Sequence, residues 1–363
     1  MQIARETDEG RGSATLMLHL LGRCNLTCLH CYMDGSPSRK ERLPLDRVLG
    51  AVAECRPLDI GALYLTGGEP LFYRGLEEVL RAAADVPGME TTLCTNGSLL
   101  KPRHAELLGE LGVKVNISVD GDAVFHDHFR NLPGAFAATE AGIGLLVGRG
   151  VPVTIVTTIS RDNRHGLASL AEWAHRSGAC RLRVQPLLRL GRANEIDDQC
   201  LTTDQMNRML LQLSDLANTY REKGLGCSLI GVSRKFLLAH PCGAYVCNGA
   251  GCHRRVAKEI KKLVVRECGT ILPEVTNLSH DYALGNITDD SLSTLVSRYF
   301  EDGYDRFDRL CRSTYSEVVP TWPSAVVPWD QIVAERSHRQ APIAAECLVT
   351  HDCGTCVPLH SGS

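Results

Sequence analysis

The sequence predicts an α/β protein: a parallel-sheet domain built from repeated strand–helix units, followed by a smaller Cys-rich α+β domain. Three observations carry that prediction. Six strand-like segments alternate with helix-like segments between residues 14 and 190. The strands are rich in β-branched residues, and the segments between them are long enough to cross back over a sheet, which marks right-handed βαβ units. From residue 227 onward that rhythm stops, and nine of the sixteen cysteines fall there.

Taken in order, Thr15–Leu20 reads as the first strand and Asp46–Cys55 as the first helix. Ala62–Thr66 (ALYLT) is a strand and Leu76–Ala84 a helix. Glu90–Thr95 and His104–Leu111 form the third pair, and Val113–Val119 (VKVNISV) and Phe136–Val147 the fourth. Pro152–Ile159 (PVTIVTTI) precedes a helix at Leu167–His175, and Arg181–Leu187 (RLRVQPL) is the sixth strand. Asp204–Tyr220 reads as a further helix, and a boundary is expected near 225, giving domains 14–225 and 226–363. The pattern alone fits a doubly wound sheet or a partial (β/α)6 barrel. His360–Ser363 reads as a frayed tail.

Composition excludes several function classes. The chain has 363 residues, 44% apolar and 22% charged, as expected of a globular protein with a sizeable core. A net charge of −3 gives no sign of bulk nucleic-acid or anionic-membrane binding. No apolar run approaches the roughly 18 residues of a membrane span, and no basic n-region of an export signal precedes Leu16–Leu21. A cytoplasmic location is expected. In a reducing compartment, sixteen cysteines point to metal ligands or reactive thiols rather than disulfides. Cys55, Cys94, Cys180, Cys200 and Cys227 are scattered and read as small core residues; Cys311 stands alone.

Directly after the first strand stand Cys24, Cys28 and Cys31, spaced C-x3-C-x2-C and followed by Tyr32. Three thiolates so close together can wrap one corner of an iron–sulfur cube, which has four irons to ligate and so keeps one open. On spacing alone the alternative is a zinc site with a fourth ligand from elsewhere, His30 being one candidate. A second motif, Leu65-Thr66-Gly67-Gly68-Glu69-Pro70, closes the second strand. Its glycines let the backbone approach a ligand closely, and its carbonyls with Glu69 can accept bonds from an ammonium group.

Together these two motifs resemble those of the radical S-adenosylmethionine (radical SAM) enzymes, over about residues 14–195. The resemblance implies a partial (β/α)6 barrel. It implies that Cys24, Cys28 and Cys31 hold a [4Fe–4S] cluster whose fourth iron takes S-adenosyl-L-methionine, and that a flavodoxin- or ferredoxin-type donor supplies electrons. Gly67, Gly68 and Glu69 would meet the methionine amino group. Ser118, at the end of the fourth strand, and Arg130 would hold its carboxylate, and Gln185 would contact adenosine or line the substrate cavity. On the residues alone, Ser118 can equally cap a turn and Arg130 sit in a surface ion pair. His126-Asp127-His128 reads as a solvated or capping loop segment.

The second half resembles, more loosely, the auxiliary-cluster extension of the SPASM and twitch subgroups. Cys242, Cys247 and Cys252 precede a hairpin over 262–274 whose turn is Cys268-Gly269, and Cys347, Cys353 and Cys356 close the chain. A second cluster would draw its ligands from these seven; zinc, or no metal at all, is the alternative. Glu274 stands where the subgroup has a cysteine, and is the candidate for a catalytic carboxylate, or else a solvated hairpin residue.

The function expected is hydrogen abstraction from an unactivated C–H bond by a 5′-deoxyadenosyl radical. Only 23 residues precede Cys24, which favours a small polar intermediate of natural-product (antibiotic) assembly over a leader-bearing peptide. Such a substrate would be a sugar, aminocyclitol or nucleoside sugar, undergoing dehydrogenation, epimerisation or decarboxylation. Maturation of a ribosomal peptide is the runner-up, and a non-catalytic iron–sulfur or zinc protein is the alternative of another class.

Overall fold

The computed structural model describes residues 14–241, 244 and 260–340. Of the seven candidate auxiliary cysteines, Cys242, Cys247, Cys252, Cys347, Cys353 and Cys356 lie outside the described residues, as does the 360–363 tail.

Six parallel strands form the centre of one sheet: β1 (Ala14–His19), β2 (Ile60–Thr66), β3 (Glu90–Thr95), β4 (Lys114–Ser118), β5 (Val153–Ile159) and β6 (Arg181–Pro186). Each pairs with its neighbour in sequence, as right-handed crossovers dictate. The crossovers are helices α1 (Leu45–Ala53), α2 (Leu76–Ala84), α3 (Pro102–Glu110), α4 (Ala123–Arg130), α5 (Ala135–Val147) and α6 (Leu167–Arg176). A long helix α7 (Thr203–Arg221) then leads to β7 (Gly226–Leu229), which adds parallel to β6. Thr202 and Gln205 close a reciprocal capping box at the start of α7.

The remaining short elements are β8 (Val232–Ser233), α8 (Arg234–Ala239), β9 (Lys262–Val265), β10 (Thr270–Pro273), β11 (Gly285–Asn286) and β12 (Val326–Val327). The expected hairpin is β9–β10, and β9 adds parallel to the free edge of β1, with Thr15 opposite Lys262. The sheet therefore runs β11-β10-β9-β1-β2-β3-β4-β5-β6-β7, ten strands across the boundary expected at 225. Its curved ladder leaves β7 and β11 as ends with no hydrogen bonds between them, so the barrel is partial. Helices at Leu292–Asp302, Tyr304–Val318 and Trp329–Gln340 cover the hairpin side. None of the described helices is long and apolar enough to cross a membrane.

Strand alternation decides what the barrel holds. Leu16 and Leu18, Leu63 and Leu65, Leu93, Val115 and Ile117, Ile155, Leu182 and Val184 are wholly buried in one continuous core. The alternate positions line a cavity of about 500 Å³: Thr15 and Met17, Tyr64 and Thr66, Cys94, Asn116 and Ser118, Thr158, Arg183 and Gln185. One face of each strand is a conventional core, and the opposite face, which borders a chamber, mixes these polar groups with apolar side chains such as Met17, Ala62 and Val156. Cys94 is thus part of the chamber wall and not the core residue expected from sequence. Of its four scattered companions only Cys55 is buried; Cys180 is exposed, and Cys200 and Cys227 are half-buried.

The stretch after β4 also differs from expectation. Asp122 caps α4 by accepting the Phe125 N–H at 2.9 Å, so His126-Asp127-His128 is helical, not loop. His126 is buried and its Nδ1 accepts the Asp120 N–H at 3.3 Å.

Candidate functional site

The loop from residue 20 to 44 carries the three cysteines over the C-terminal end of the barrel, where parallel α/β folds place their sites. Backbone hydrogen bonds fix it at both ends: Gly22 N–H to Glu41 O at 2.9 Å, Cys24 N–H to Ser36 O at 3.0 Å, and Leu43 N–H to Leu20 O at 2.9 Å. Cys24 and Cys28 are buried, Cys31 is half-buried, and all three border the cavity. Backbone and side-chain donors already face their sulfurs. Leu26 N–H lies 3.4 Å from Cys24 Sγ, Gly35 N–H 3.3 Å from Cys31 Sγ, and Arg130 Nη1 3.8 Å from Cys28 Sγ. Burial pushes the Cys24 thiol up to about 12 and raises Cys28 as well, so without a bound metal those two thiols keep their protons.

The donor set fits an iron–sulfur cube. Among the described residues no three His, Cys, Asp or Glu side chains converge as a single-ion site requires. Three thiols around one cavity end can instead each take a separate iron, with sulfur donors suited to that metal. His30, the candidate zinc ligand, is half-buried, stacks on Phe129 at 4.0 Å and lies 3.7 Å from Asp120. Burial lowers its imidazole to about 3.

The glycines of the second motif pack tightly against the cysteine loop. Gly68 N–H donates to Leu21 O at 2.7 Å and Glu69 N–H to Arg23 O at 2.8 Å. A Cβ on Gly68 would lie 2.2 Å from Arg23 O, and one on Gly67, at φ +139°, would lie 2.6 Å from Leu21 O. The close approach that glycine permits here is therefore to the protein's own backbone as well as to the cavity, which both residues line. Glu69 is wholly buried and outside the cavity wall. Its carboxylate accepts from Thr95 Oγ1 at 2.7 Å, Asn96 N–H at 2.9 Å and Leu71 N–H at 3.1 Å, tying the ends of β2 and β3 together.

Ser118, Arg130 and Gln185 all reach the same cavity as the cysteines. Gln185 Nε2 donates to Thr158 Oγ1 at 2.9 Å. Arg130 is buried and spends one edge of its fork on Asp120, with Nε 2.7 Å and Nη2 2.6 Å from Oδ2. Burial would raise the Asp120 carboxyl, but Arg130, His30 and His126 together hold it below its ordinary value. Asp120 Oδ1 also accepts the Thr158 N–H at 2.9 Å. The arginine is thus held by its Nε edge, with Nη1 turned toward Cys28.

Glu274 borders the far side of the cavity with Lys262, Trp329 and Asp330. Its backbone is left-handed (φ +59°), and its carboxylate accepts the Lys261 N–H. Cys268 is half-buried on the hairpin turn, 3.4 Å from Thr270 Oγ1. Next to it, buried Glu267 meets Arg39 of the cysteine loop at 2.8 Å, joining the hairpin to that loop.

Sequence reasoning placed Asn96 and Asp120 at strand ends but gave them no role, and read Cys94 as core. Asn96 Nδ2 bridges to Asn25 Oδ1 at 2.9 Å and lies 3.9 Å from Cys24 Sγ. Burial pushes the Cys94 thiol up to about 11. The available signal was strand parity: Cys94 and Asn116 sit opposite one another in register and share the inner face.

Comparison with known proteins agrees with this geometry. Residues 18–174 match the radical SAM superfamily model. The AdoMet-dependent heme synthase of Nitratidesulfovibrio vulgaris is 30% identical over 222 residues, covering 59% of this chain and 59% of that protein. The match therefore spans less than two thirds of that relative. The antilisterial bacteriocin subtilosin biosynthesis protein AlbA of Bacillus subtilis is 24% identical over 84% of this chain and 66% of its own length. Among solved structures, Streptococcus suis SuiB bound to S-adenosylmethionine superposes with a TM-score of 0.65 at 16% identity, covering 82% of this chain and 68% of that one.

Proposed function

We propose, from the premise that this chain carries a radical SAM domain with a [4Fe–4S] cluster and S-adenosylmethionine as its cofactors, that it is an enzyme acting on a small polar molecule. When bound, those cofactors supply a 5′-deoxyadenosyl radical that takes hydrogen from an unactivated C–H bond. Cys24, Cys28 and Cys31 would hold three irons. Gly67 and Gly68 would offer backbone groups to the methionine amino end, and Ser118 and the Nη1 side of Arg130 would face its carboxylate. Gln185 would orient adenosine or substrate. Asp120 keeps Arg130 from turning away.

The observation that supports a polar substrate is the set of polar side chains on the inner face of the barrel, which stand among apolar ones such as Met17 and Val156. Thr15, Tyr64, Asn116, Thr158 and Arg183 present hydroxyl, amide and guanidinium groups to one chamber, where a sugar or aminocyclitol finds partners for its hydroxyls. Glu274 and Asp330 border the far end as carboxylates able to accept a proton or bond a hydroxyl. A structural metal site has no use for such a chamber, which weighs against the non-catalytic alternative. Dehydrogenation, epimerisation and decarboxylation all begin with the same abstraction.

Peptide maturation is the second reading. It is favoured by the similarity to the subtilosin biosynthesis protein, which runs over 84% of this chain against 59% for the heme synthase. A cytoplasmic setting with a flavodoxin- or ferredoxin-type donor goes with either reading. The experiment is 5′-deoxyadenosine formation with dithionite over a panel of aminocyclitols, sugars, nucleoside sugars and peptides. A burst with a sugar-type compound supports the first reading; a burst only with a peptide replaces it with the second.

A further inference from the structure

The segment after β6 does two things at once. Leu187, Leu188 and Leu190 line the cavity, and the next two residues press onto the cysteine loop from behind. Gly191 has φ +58°, and a Cβ there would lie 2.5 Å from Cys31 O and 2.7 Å from the Tyr32 carbonyl carbon. Only glycine fits so close to that backbone. Arg192 then makes three hydrogen bonds to main-chain carbonyls of the loop: its N–H to Cys31 O at 3.0 Å, Nε to Cys28 O at 2.9 Å, and Nη2 to Gly35 O at 2.8 Å. Two of these carbonyls belong to cysteines, and Gly35 is the residue whose N–H faces Cys31 Sγ at 3.3 Å.

We propose that Arg192 is the positioning residue of the cysteine loop, holding the backbone from Cys28 to Gly35 in the shape that presents its thiols and so setting how long the cluster is retained. The inference rests on the reading of Cys24, Cys28 and Cys31 as cluster ligands. A fixed planar fork restrains two points of the loop at once, which a flexible ammonium does less well. The guanidinium also places a positive charge behind Cys28 and Cys31, where thiolate charge gathers once iron is bound. Loss of the side chain leaves Gly35 O without its donor and Cys28 O with only the Cys31 N–H at 3.3 Å, and frees the loop to fray, so the cost is in retention of the metal rather than in the barrel core.

The test uses anaerobically reconstituted holoprotein challenged with an iron chelator. Arg192→Ala should release iron on the order of tenfold faster than wild type. Arg192→Lys should fall between the two, and Arg189→Ala, an exposed arginine of the same segment, should match wild type. The electron paramagnetic resonance signal of the reduced cluster should broaden in Arg192→Ala and recover in part in Arg192→Lys. If Arg192→Ala does not fold, Arg192→Gln and Gly191→Ala carry the same comparison. Wild-type release rates in the alanine and glutamine variants, or no rescue by lysine, would overturn the role given to Arg192. If a Cys24/Cys28/Cys31 triple serine variant kept the wild-type signal, the ligand reading itself would fail, a result separable from the first.

Discussion

Gly68→Ala adds a single methyl group, and the geometry states what that group meets. The new Cβ would stand 2.2 Å from the Arg23 carbonyl oxygen and 2.5 Å from its carbon, more than an ångström inside ordinary contact. Both atoms are main chain, so no rotamer change relieves the clash; the strands must part or the loop must move. Parting breaks the Gly68 N–H to Leu21 O and Glu69 N–H to Arg23 O bonds. At about 1 kcal/mol for each bond and about 1–3 kcal/mol for overpacking, the local cost is roughly 3–5 kcal/mol. Because Arg23 precedes Cys24, the displacement acts on the first thiol as well as on the cavity. Iron per chain after reconstitution and S-adenosylmethionine affinity by equilibrium dialysis should therefore fall together, the affinity by about tenfold or more. Gly144→Ala, a helical position with nothing within 4 Å of the new Cβ, is the matched control and should be neutral or stabilising by up to about 1 kcal/mol. Wild-type iron content in Gly68→Ala, with only the affinity changed, would show that the glycine serves the ligand alone and would refute the backbone argument.

Two further perturbations follow from buried groups. Asp120→Asn removes the carboxylate that pairs with buried Arg130, and urea unfolding should show a loss of about 3–5 kcal/mol, whereas an exposed pair would lose a fraction of that. His19 is fully buried with neither ring nitrogen bonded to a protein group, and burial, with Arg266 nearby, lowers it from 6.5 to about 3. The unfolded chain takes up the proton first, so this residue's contribution is fully present above pH 6.5 and is lost as pH falls toward 3. His19→Phe should therefore remove roughly 2 kcal/mol of the stability change between pH 7 and pH 5, and an unaltered pH dependence would contradict the burial argument.

The order of the first six strands was legible because each is a short β-branched run separated by a helix-length segment, and parallel neighbours follow from that rhythm. The site residues at strand ends were legible for the same reason: Ser118 and Gln185 close strands and reach one cavity with Cys24, Cys28, Cys31 and Arg130. Parity was the signal left unused. In VKVNISV and RLRVQPL the polar residues alternate with the apolar ones, and in a strand covered by helices on one side the polar set takes the other face, which here borders the chamber. That parity distinguishes Asn116 and Arg183 from core positions. The same count places Cys94 on the wall, but a cysteine is apolar enough to pass for core. Glu69 was harder to read, since GGEP gives no hint that the carboxylate folds back onto Thr95 and Asn96. The pairing of β9 with β1 is a contact between residues some 250 positions apart, and a short apolar strand such as Lys262–Val265 carries no mark of its partner. Arg192 had no motif around it; its role comes from three distances that only the fold supplies.

The cysteine triad is tested most directly by anaerobic incubation of the reconstituted protein with dithionite and S-adenosylmethionine, with 5′-deoxyadenosine measured. The wild-type protein should form it. The variant with Cys24, Cys28 and Cys31 all changed to Ala should form none and should carry about four fewer irons per chain. Undiminished 5′-deoxyadenosine formation by that variant would contradict the assignment of these three thiols to the cluster.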